Sequence, residues 1–331
     1  MKIVKWLLFF AVVFGIGFVA TLFYFDKKVH QPLILNEATI YQVKSGQSAK
    51  GLLNRLKEQG IISDNIGLKI RLKLEPALAN IKVGTYELLP SMSALDLLEL
   101  FSSGKELQFS ISLIEGLNWR EWLLVIKSHP QITFSDDFYQ QLAILTAQLP
   151  EQSIEGYLLP DTYYFVAQTE AIDLVKRAHL SMQKYLNEAW QHRALDLPYA
   201  SAYEGLTLAS IIEKETGVAD ERPRISGVFV NRLNLNMRLQ TDPTVIYGMG
   251  ESFDGDIRRK DLKTATPYNT YMIRGLPPTP IAMPSKLAID AAFNPLITDE
   301  LYFVSKGDGS HKFSITLQEH NLAVRQYQLN K

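Results

Sequence analysis

Leu206-Thr207-Leu208-Ala209-Ser210-Ile211-Ile212-Glu213-Lys214-Glu215-Thr216 reads as one helix. At about 100° per residue, Leu208, Ile211 and Ile212, with Val218 and Ala219 beyond them, share one face. Glu215 falls near the middle of that apolar face, Glu213 on the opposite side, and Lys214 elsewhere again. A carboxylate on an apolar stripe has two explanations. It can pair with a buried arginine (Arg222, Arg232 or Arg238) and hold the fold. Alternatively it lines a cleft where desolvation raises its pKa, so that it keeps a proton near neutral pH. A general acid in glycoside chemistry needs the second condition. The helix wheel leaves both readings open.

Downstream, Met237-Arg238-Leu239-Gln240-Thr241-Asp242-Pro243-Thr244-Val245-Ile246-Tyr247-Gly248 gathers Gln240, Thr241 and Asp242 before a proline. This is either a capped turn, with Asp242 bonded to nearby backbone N–H groups, or a loop offering amide and carboxylate to sugar hydroxyls. After Pro267, Tyr268-Asn269-Thr270-Tyr271 adds amide and aromatic groups of the kind that line sugar sites. From residue 227 onward, short strands and Gly/Pro turns are expected to dominate. Upstream, Phe109–Ile114 alternates as a strand, and helices are expected near 119–127, 135–147 and 171–193. Residues 108–331 therefore read as one mixed α+β domain.

Residues 39–107 read as a smaller α+β unit. Tyr41-Gln42-Val43-Lys44-Ser45-Gly46-Gln47-Ser48 is a short alternating strand and turn. Ser48 is placed to cap a helix whose apolar face is Leu52, Leu53 and Leu56, with Gly60 past its end. A second helix is expected near Asp64–Leu74, a strand over Lys82–Leu88, and a third helix from the Ser93 cap to before Gly104. The opening of this unit resembles a LysM module, a small carbohydrate-binding unit; a plain α+β spacer is the other reading.

Residues 26–38 read as a linker and residues 6–25 as a transmembrane helix. Trp6 to Phe25 carries no charge, and twenty helical residues span about 30 Å, the thickness of the hydrocarbon layer. A cleaved signal peptide would show a shorter apolar run and a small-residue cleavage site, whereas this run ends Phe23-Tyr24-Phe25. Lys2 and Lys5 nearly balance Lys27 and Lys28, so orientation rests on the short tail, residues 1–5, against a large body. The expected topology is single-pass, with the tail in the cytoplasm and the body outside.

The 331 residues suit two domains and an appendage. Basic and acidic side chains number 34 and 35, for a net charge of −1, and this near balance argues against a protein built to grip nucleic acid. The absence of cysteine excludes thiol nucleophiles, disulfides and Cys-ligated zinc. Phosphate-loop, nucleophile-elbow and zinc-helix motifs are missing. The histidines lack metal-ligand spacing, so no metal is expected. His311 and His320 are the two with a possible functional reading.

Taken together the motifs resemble the endolytic murein transglycosylases, the YceG-like family. The carrying segments are Val83-Gly84-Thr85-Tyr86, Glu155-Gly156-Tyr157, Pro160-Asp161-Thr162-Tyr163, the Ser210–Thr216 and Gln240–Gly248 stretches, Tyr268-Asn269-Thr270-Tyr271, Gly275-Leu276-Pro277-Pro278, Gly309-Ser310-His311-Lys312-Phe313 and Glu319-His320-Asn321. The resemblance implies one N-terminal transmembrane helix in the cell inner membrane, a LysM-like subdomain, and a catalytic domain facing the periplasm. It implies cleavage of peptidoglycan strands between N-acetylmuramic acid and N-acetylglucosamine, leaving a 1,6-anhydro end, with no cofactor and with peptidoglycan synthases as partners. Its catalytic glutamate falls on Glu215, and Gln240, Asp242, Tyr268, Asn269 and Tyr271 become expected substrate contacts. Two other classes stay open: a non-catalytic peptidoglycan-binding scaffold, and a hydrolase whose second carboxylate would be Asp161, Glu155 or Asp242.

Overall fold

The computed structural model describes residues 2–329. Met1 of the expected tail, the Lys2 side chain counted for orientation, and residues 330–331 of the expected catalytic domain lie outside the described residues. Helices and short strands are mixed throughout, and the chain divides into two compact units. One holds residues 1–109 with 164–167, and the other holds 110–163 with 168–331.

The first unit begins with helix α1, Lys2–Val29. It is long and apolar enough to cross a membrane, and its side chains from Trp6 to Tyr24 are almost all exposed. The helix continues past Phe25 because its last turn packs into the small unit. Val29 is buried there, and Gly67 sits so close to Lys28 and Val29 that a side chain would crowd them. The stretch read as a linker is likewise bound down. The Gln31 amide donates to the carbonyls of Lys28 and Asp64, at 2.8 and 2.6 Å, and its oxygen accepts from the Ser63 and Asp64 N–H groups. Leu33 is buried and donates its N–H to Met92 at 3.1 Å.

Strand β1 (Thr39–Val43) pairs antiparallel with β2 (Gly84–Leu88), Tyr41 opposite Tyr86. Between them lie α2 (Ala49–Glu58) and α3 (Ile66–Leu74), giving a β–α–α–β order. Ser48 caps α2 by accepting from the Gly51 N–H. A fourth helix, α4 (Ala94–Ser103), starts with a Ser93–Asp96 capping box and ends at Gly104 in the left-handed conformation, which glycine adopts without penalty. Leu52, Leu53, Leu56, Leu68, Tyr86, Leu97 and Phe101 form the core. Each such side chain, fully buried, contributes about 1.5–3 kcal/mol.

Strands β3 (Gln108–Leu113) and β5 (Asp161–Val166) form a two-stranded sheet. Between them come α5 (Trp119–Ser128), β4 (Ile132–Thr133) and α6 (Phe138–Thr146); β6 (Thr169–Glu170), which pairs in parallel with β4, then leads into α7 (Ala171–Gln191). The second unit's centre is built from α8 (Ala202–Glu215), α9 (Arg222–Asn234) and α11 (Lys286–Phe293), with α10 (Asp242–Met249) beside α8. Leu206, Leu208, Ile211, Ile225, Phe229, Ile289 and Phe293 share one core. At Gly205 a Cβ would overlap the Phe293 ring, so any larger residue would force α8 and α11 apart. The hairpin β7 (Tyr302–Ser305) and β8 (His311–Ser314) and helix α12 (Leu317–Val324) complete the unit.

Two expectations are corrected here. Beyond residue 227 the expected turns are present, but helices rather than short strands are the main regular elements between them. Helix α9 is buried nearly all round and so shows no amphipathic period, while Pro223 and Pro243 open helices rather than mark turns. In addition, α8 stops at Glu215. Thr216 turns the chain, its hydroxyl accepting from the Val218 N–H at 3.0 Å, which removes Val218 and Ala219 from the helical face.

Candidate active site

Helix α8 is not amphipathic in the structure: all residues from Gly205 to Ile212 are buried. Its polar side chains are satisfied internally. The Thr207 hydroxyl bonds to the Tyr203 carbonyl at 3.0 Å. The Ser210 hydroxyl donates to the Thr207 carbonyl and accepts from the Ile281 N–H at 2.9 Å. Ser201 caps the first turn, so the helix is fixed at its start and along its length.

Its last turn carries two carboxylates with opposite fates. Glu213, expected to face away from the core, has a side chain only 4% exposed. It accepts from Arg222 Nη2 at 3.2 Å and from the Ser285 N–H at 2.9 Å, and the Ser285 hydroxyl donates to the same oxygen. The arginine pairing considered for Glu215 thus belongs to Glu213.

Glu215 makes no ion pair among the described residues. The Thr241 hydroxyl donates to its Oε1, and Oε2 accepts no hydrogen bond from them. The residue keeps some exposure, yet so much protein surrounds its carboxyl that desolvation is the largest influence and raises its pKa. The nearby negative charge of Asp242 adds to the rise, while the Thr241 hydrogen bond, His311 and Arg232 oppose it. Arg232 is buried and already donates to the carbonyls of Leu239 and Leu301, each at 2.7 Å, so it acts on Glu215 only at a distance. His311 is held by Glu221, Nδ1 to Oε2 at 2.7 Å.

Thr241 is fixed from behind by a buried ladder of hydroxyl groups. Its N–H donates to Thr270 Oγ1 at 3.0 Å, Thr244 Oγ1 donates to its carbonyl at 2.7 Å, and the Thr244 and Thr270 hydroxyls lie 2.8 Å apart. The sequence reading places Thr241 in the polar cluster before Pro243 and gives Thr270 no role; their pairing across 29 positions has no local signal.

The other expected site residues divide by position. Gln240 is exposed, with φ +51°, a left-handed conformation that strains a residue bearing a side chain. Asp242 opens α10, is exposed, and accepts from the Tyr271 hydroxyl at 2.7 Å. Burial and Asp242 together raise the Tyr271 pKa. Tyr268 is half-buried, hydrogen-bonded to Thr279 at 3.0 Å and packed on Tyr247. Asn269 is 1% exposed, and its amide is spent on the carbonyls of Asp261, Leu262 and Thr264 and on the Tyr271 N–H. Asn269 thus shapes the loop that carries Tyr271.

The candidate second carboxylates are dispersed. Asp161 is exposed at the start of β5, bonded to the Thr162 N–H. Glu155 is buried, accepts from the Trp119 N–H at 3.1 and 3.2 Å and from the Tyr247 hydroxyl at 3.1 Å, and has its pKa raised by desolvation to about 7. Only Asp242 lies close enough to Glu215 to influence its charge. Among the described residues no three or more His, Asp and Glu side chains converge as a metal ion would require.

Helix α8 thus ends in one desolvated carboxyl beside a loop of amide, carboxylate and phenol groups. The YceG-like family matches residues 41–326, and the chain belongs to it. An endolytic murein transglycosylase of Bacillus subtilis (strain 168) is 29% identical over 92% of this chain and 89% of its own length. The protein of the same name from Streptococcus pneumoniae serotype 2 is 32% identical over 53% of this chain, which spans 32% of that longer relative. The crystal structure of a yceG-like protein from Listeria monocytogenes superposes with a TM-score of 0.54 at 28% identity, covering 86% of this chain and 99% of the other.

Proposed function

We propose that the protein is an endolytic lytic transglycosylase that cleaves peptidoglycan strands between N-acetylmuramic acid and N-acetylglucosamine and leaves a 1,6-anhydro-N-acetylmuramic acid end. The observation that carries the reading is the desolvated carboxyl of Glu215 at the end of α8, one oxygen held by Thr241 and the other accepting no hydrogen bond from the described residues. Protonated, Glu215 gives its proton to the glycosidic oxygen as the C1–O bond breaks. As carboxylate it takes the proton of the muramic C6 hydroxyl, whose oxygen closes onto C1. The substrate supplies the nucleophile, so neither water, a second carboxylate nor a cofactor is required. Acid–base help of this kind contributes about 10²–10⁴ in rate.

A hydrolase reading would assign Asp242, whose Oδ1 accepts from the Tyr271 hydroxyl, as the base or nucleophile. Gln240, Asp242 and Tyr271 are the side chains we assign to sugar hydroxyls, with Tyr268 and Asn269 supporting them from behind. Helix α1 serves as a single inner-membrane anchor with the body on the periplasmic side. There the enzyme would act on nascent strands beside the synthases that make them and limit their length. The β–α–α–β order of residues 39–88 supports the LysM-like reading. Mass spectrometry of muropeptides released by the purified protein tests the chemistry. Anhydro ends are expected; reducing ends would establish the hydrolase, and uncut strands the scaffold.

A further inference from the structure

In the second unit a groove of about 820 Å³ opens between α5, α6 and the C-terminal half of α10. Glu215 is not among its walls. The size lies within the range of sites that enclose small organic ligands. Its aromatic lining comes from Trp119, Tyr139, Tyr247 and Phe253. Tyr139 is 58% exposed, its hydroxyl accepting from Lys127 Nζ at 2.9 Å, so the ring is held without being covered.

The charges of the groove are internally used. Arg120, the cation among its lining residues, is paired with Glu251 at 2.8 Å. Glu121 closes the Asn118 capping box at the start of α5, and Glu155 is taken by Trp119 and Tyr247. A site of aromatic faces and compensated charges does not select an anion. It suits a neutral, hydroxyl-rich ring that presents one apolar face and polar edges. The buried Glu155 carboxyl ties the first turn of α5 to α10 and so fixes the floor of the groove.

Helix α10 links this groove to Glu215. Its first residue, Asp242, lies beside the acid, and Tyr247 stands five residues on, about 7.5 Å along the axis at 1.5 Å per residue. A strand of sugars covers such a distance within a few units. We infer that the groove walled by Trp119, Tyr139, Tyr247 and Phe253 is a remote glycan subsite, holding sugar rings of the same strand that Glu215 cuts and favouring long strands over short ones. The inference rests on the proposed cleavage of glycan.

The test compares Trp119→Ala and Tyr139→Ala in the detergent-solubilised full chain, using peptide-free glycan as a tetrasaccharide and as long strands. The ratio of kcat/KM for long to short substrate should fall roughly tenfold in Trp119→Ala, the scale of one lost aromatic anchor, and less in Tyr139→Ala. An unchanged ratio in both variants, each with the wild-type melting temperature, overturns the subsite. Tyr139 is exposed enough that its variant should fold even if Trp119→Ala does not. Direct binding of long strands to Glu215→Gln protein, with and without Tyr139→Ala, decides the groove independently of turnover. Weaker binding in the double variant supports it, and equal binding counts against it. Wild-type products lacking anhydro ends would instead count against the proposed chemistry alone.

Discussion

Glu213 and Glu215 leave the same turn of α8 and carry the same functional group, yet the protein treats them oppositely. Around Glu213 the fold assembles a guanidinium, a backbone N–H and a hydroxyl, enough to hold a buried charge. Around Glu215 it provides one hydroxyl, and among the described residues nothing donates to the other oxygen, with the negative Asp242 nearby. Both carboxyls are largely surrounded by protein; they differ in compensation. A compensated carboxylate is a strut, whereas desolvation raises the pKa of an under-compensated one and favours its protonated form. Two residues of separation suffice because the helix ends between their partners: Arg222 and Ser285 on one side, the Thr241 turn on the other.

The largest effect should come from Glu215→Gln, which keeps shape but cannot transfer a proton. Turnover to anhydro products should fall by about 10² to 10⁴, with the melting temperature preserved; near-normal turnover would break the comparison outright. Glu213→Gln should act through stability. It leaves Arg222 buried without its counter-charge, a change that costs about 3 kcal/mol in such pairs, readable in urea unfolding, while the turnover of folded protein stays far above that of Glu215→Gln. Retention of full stability would mean that the Glu213 charge is no strut.

Glu155 extends the contrast to a third buried carboxyl. Its folded pKa of about 7 lies above the ordinary value of 4.5, so between those pH values the folded state binds more protons than the unfolded state. Its contribution to stability is therefore present below about pH 4.5 and is lost as pH rises through 7. Glu155→Gln should match wild type near pH 5 and exceed it at pH 8, by up to about 3 kcal/mol for a shift of this size. A constant difference across that window would remove Glu155 from the group of under-compensated carboxyls.

The smallest and most discriminating effects concern the pH dependence of turnover. In the proposed mechanism Glu215 must be protonated, so activity should fall as pH rises through its pKa. Thr241→Val removes the hydrogen bond that favours the carboxylate and should move that limb to higher pH. Asp242→Asn removes a repelling charge and should move it lower. Shifts in the same direction would show that the limb does not report Glu215.

Much of this was readable from residue order where the cause is local. Ser48, Ser93 and Gly104 stand at helix ends because capping needs only neighbours. The long helix over Ala171–Gln191 has a clear apolar period. The wheel that singles out Glu215 uses Val218 and Ala219, which lie beyond the end of α8, so it reaches the residue through a partly mistaken face. The burial of Glu213 was invisible because Arg222 and Ser285 come from α9 and the turn before α11, and a helix buried all round has no polar side to reveal. The occupation of Asn269 and the hydroxyl ladder behind Thr241 are likewise products of contacts between distant segments.

The Gln31 junction has a mechanical consequence. Because α1 runs straight into the small unit and the following residues are stitched to Ser63, Asp64 and Met92, α1 is a stem rather than a leash. A stem transmits tilt. With α1 crossing the bilayer, any lean of the helix would be copied into residues 30–103, and the height of that unit above the lipid would be nearly constant. Diffusion would then carry residues 30–103 through a two-dimensional search at nearly fixed height, with no slack of a flexible linker to average over.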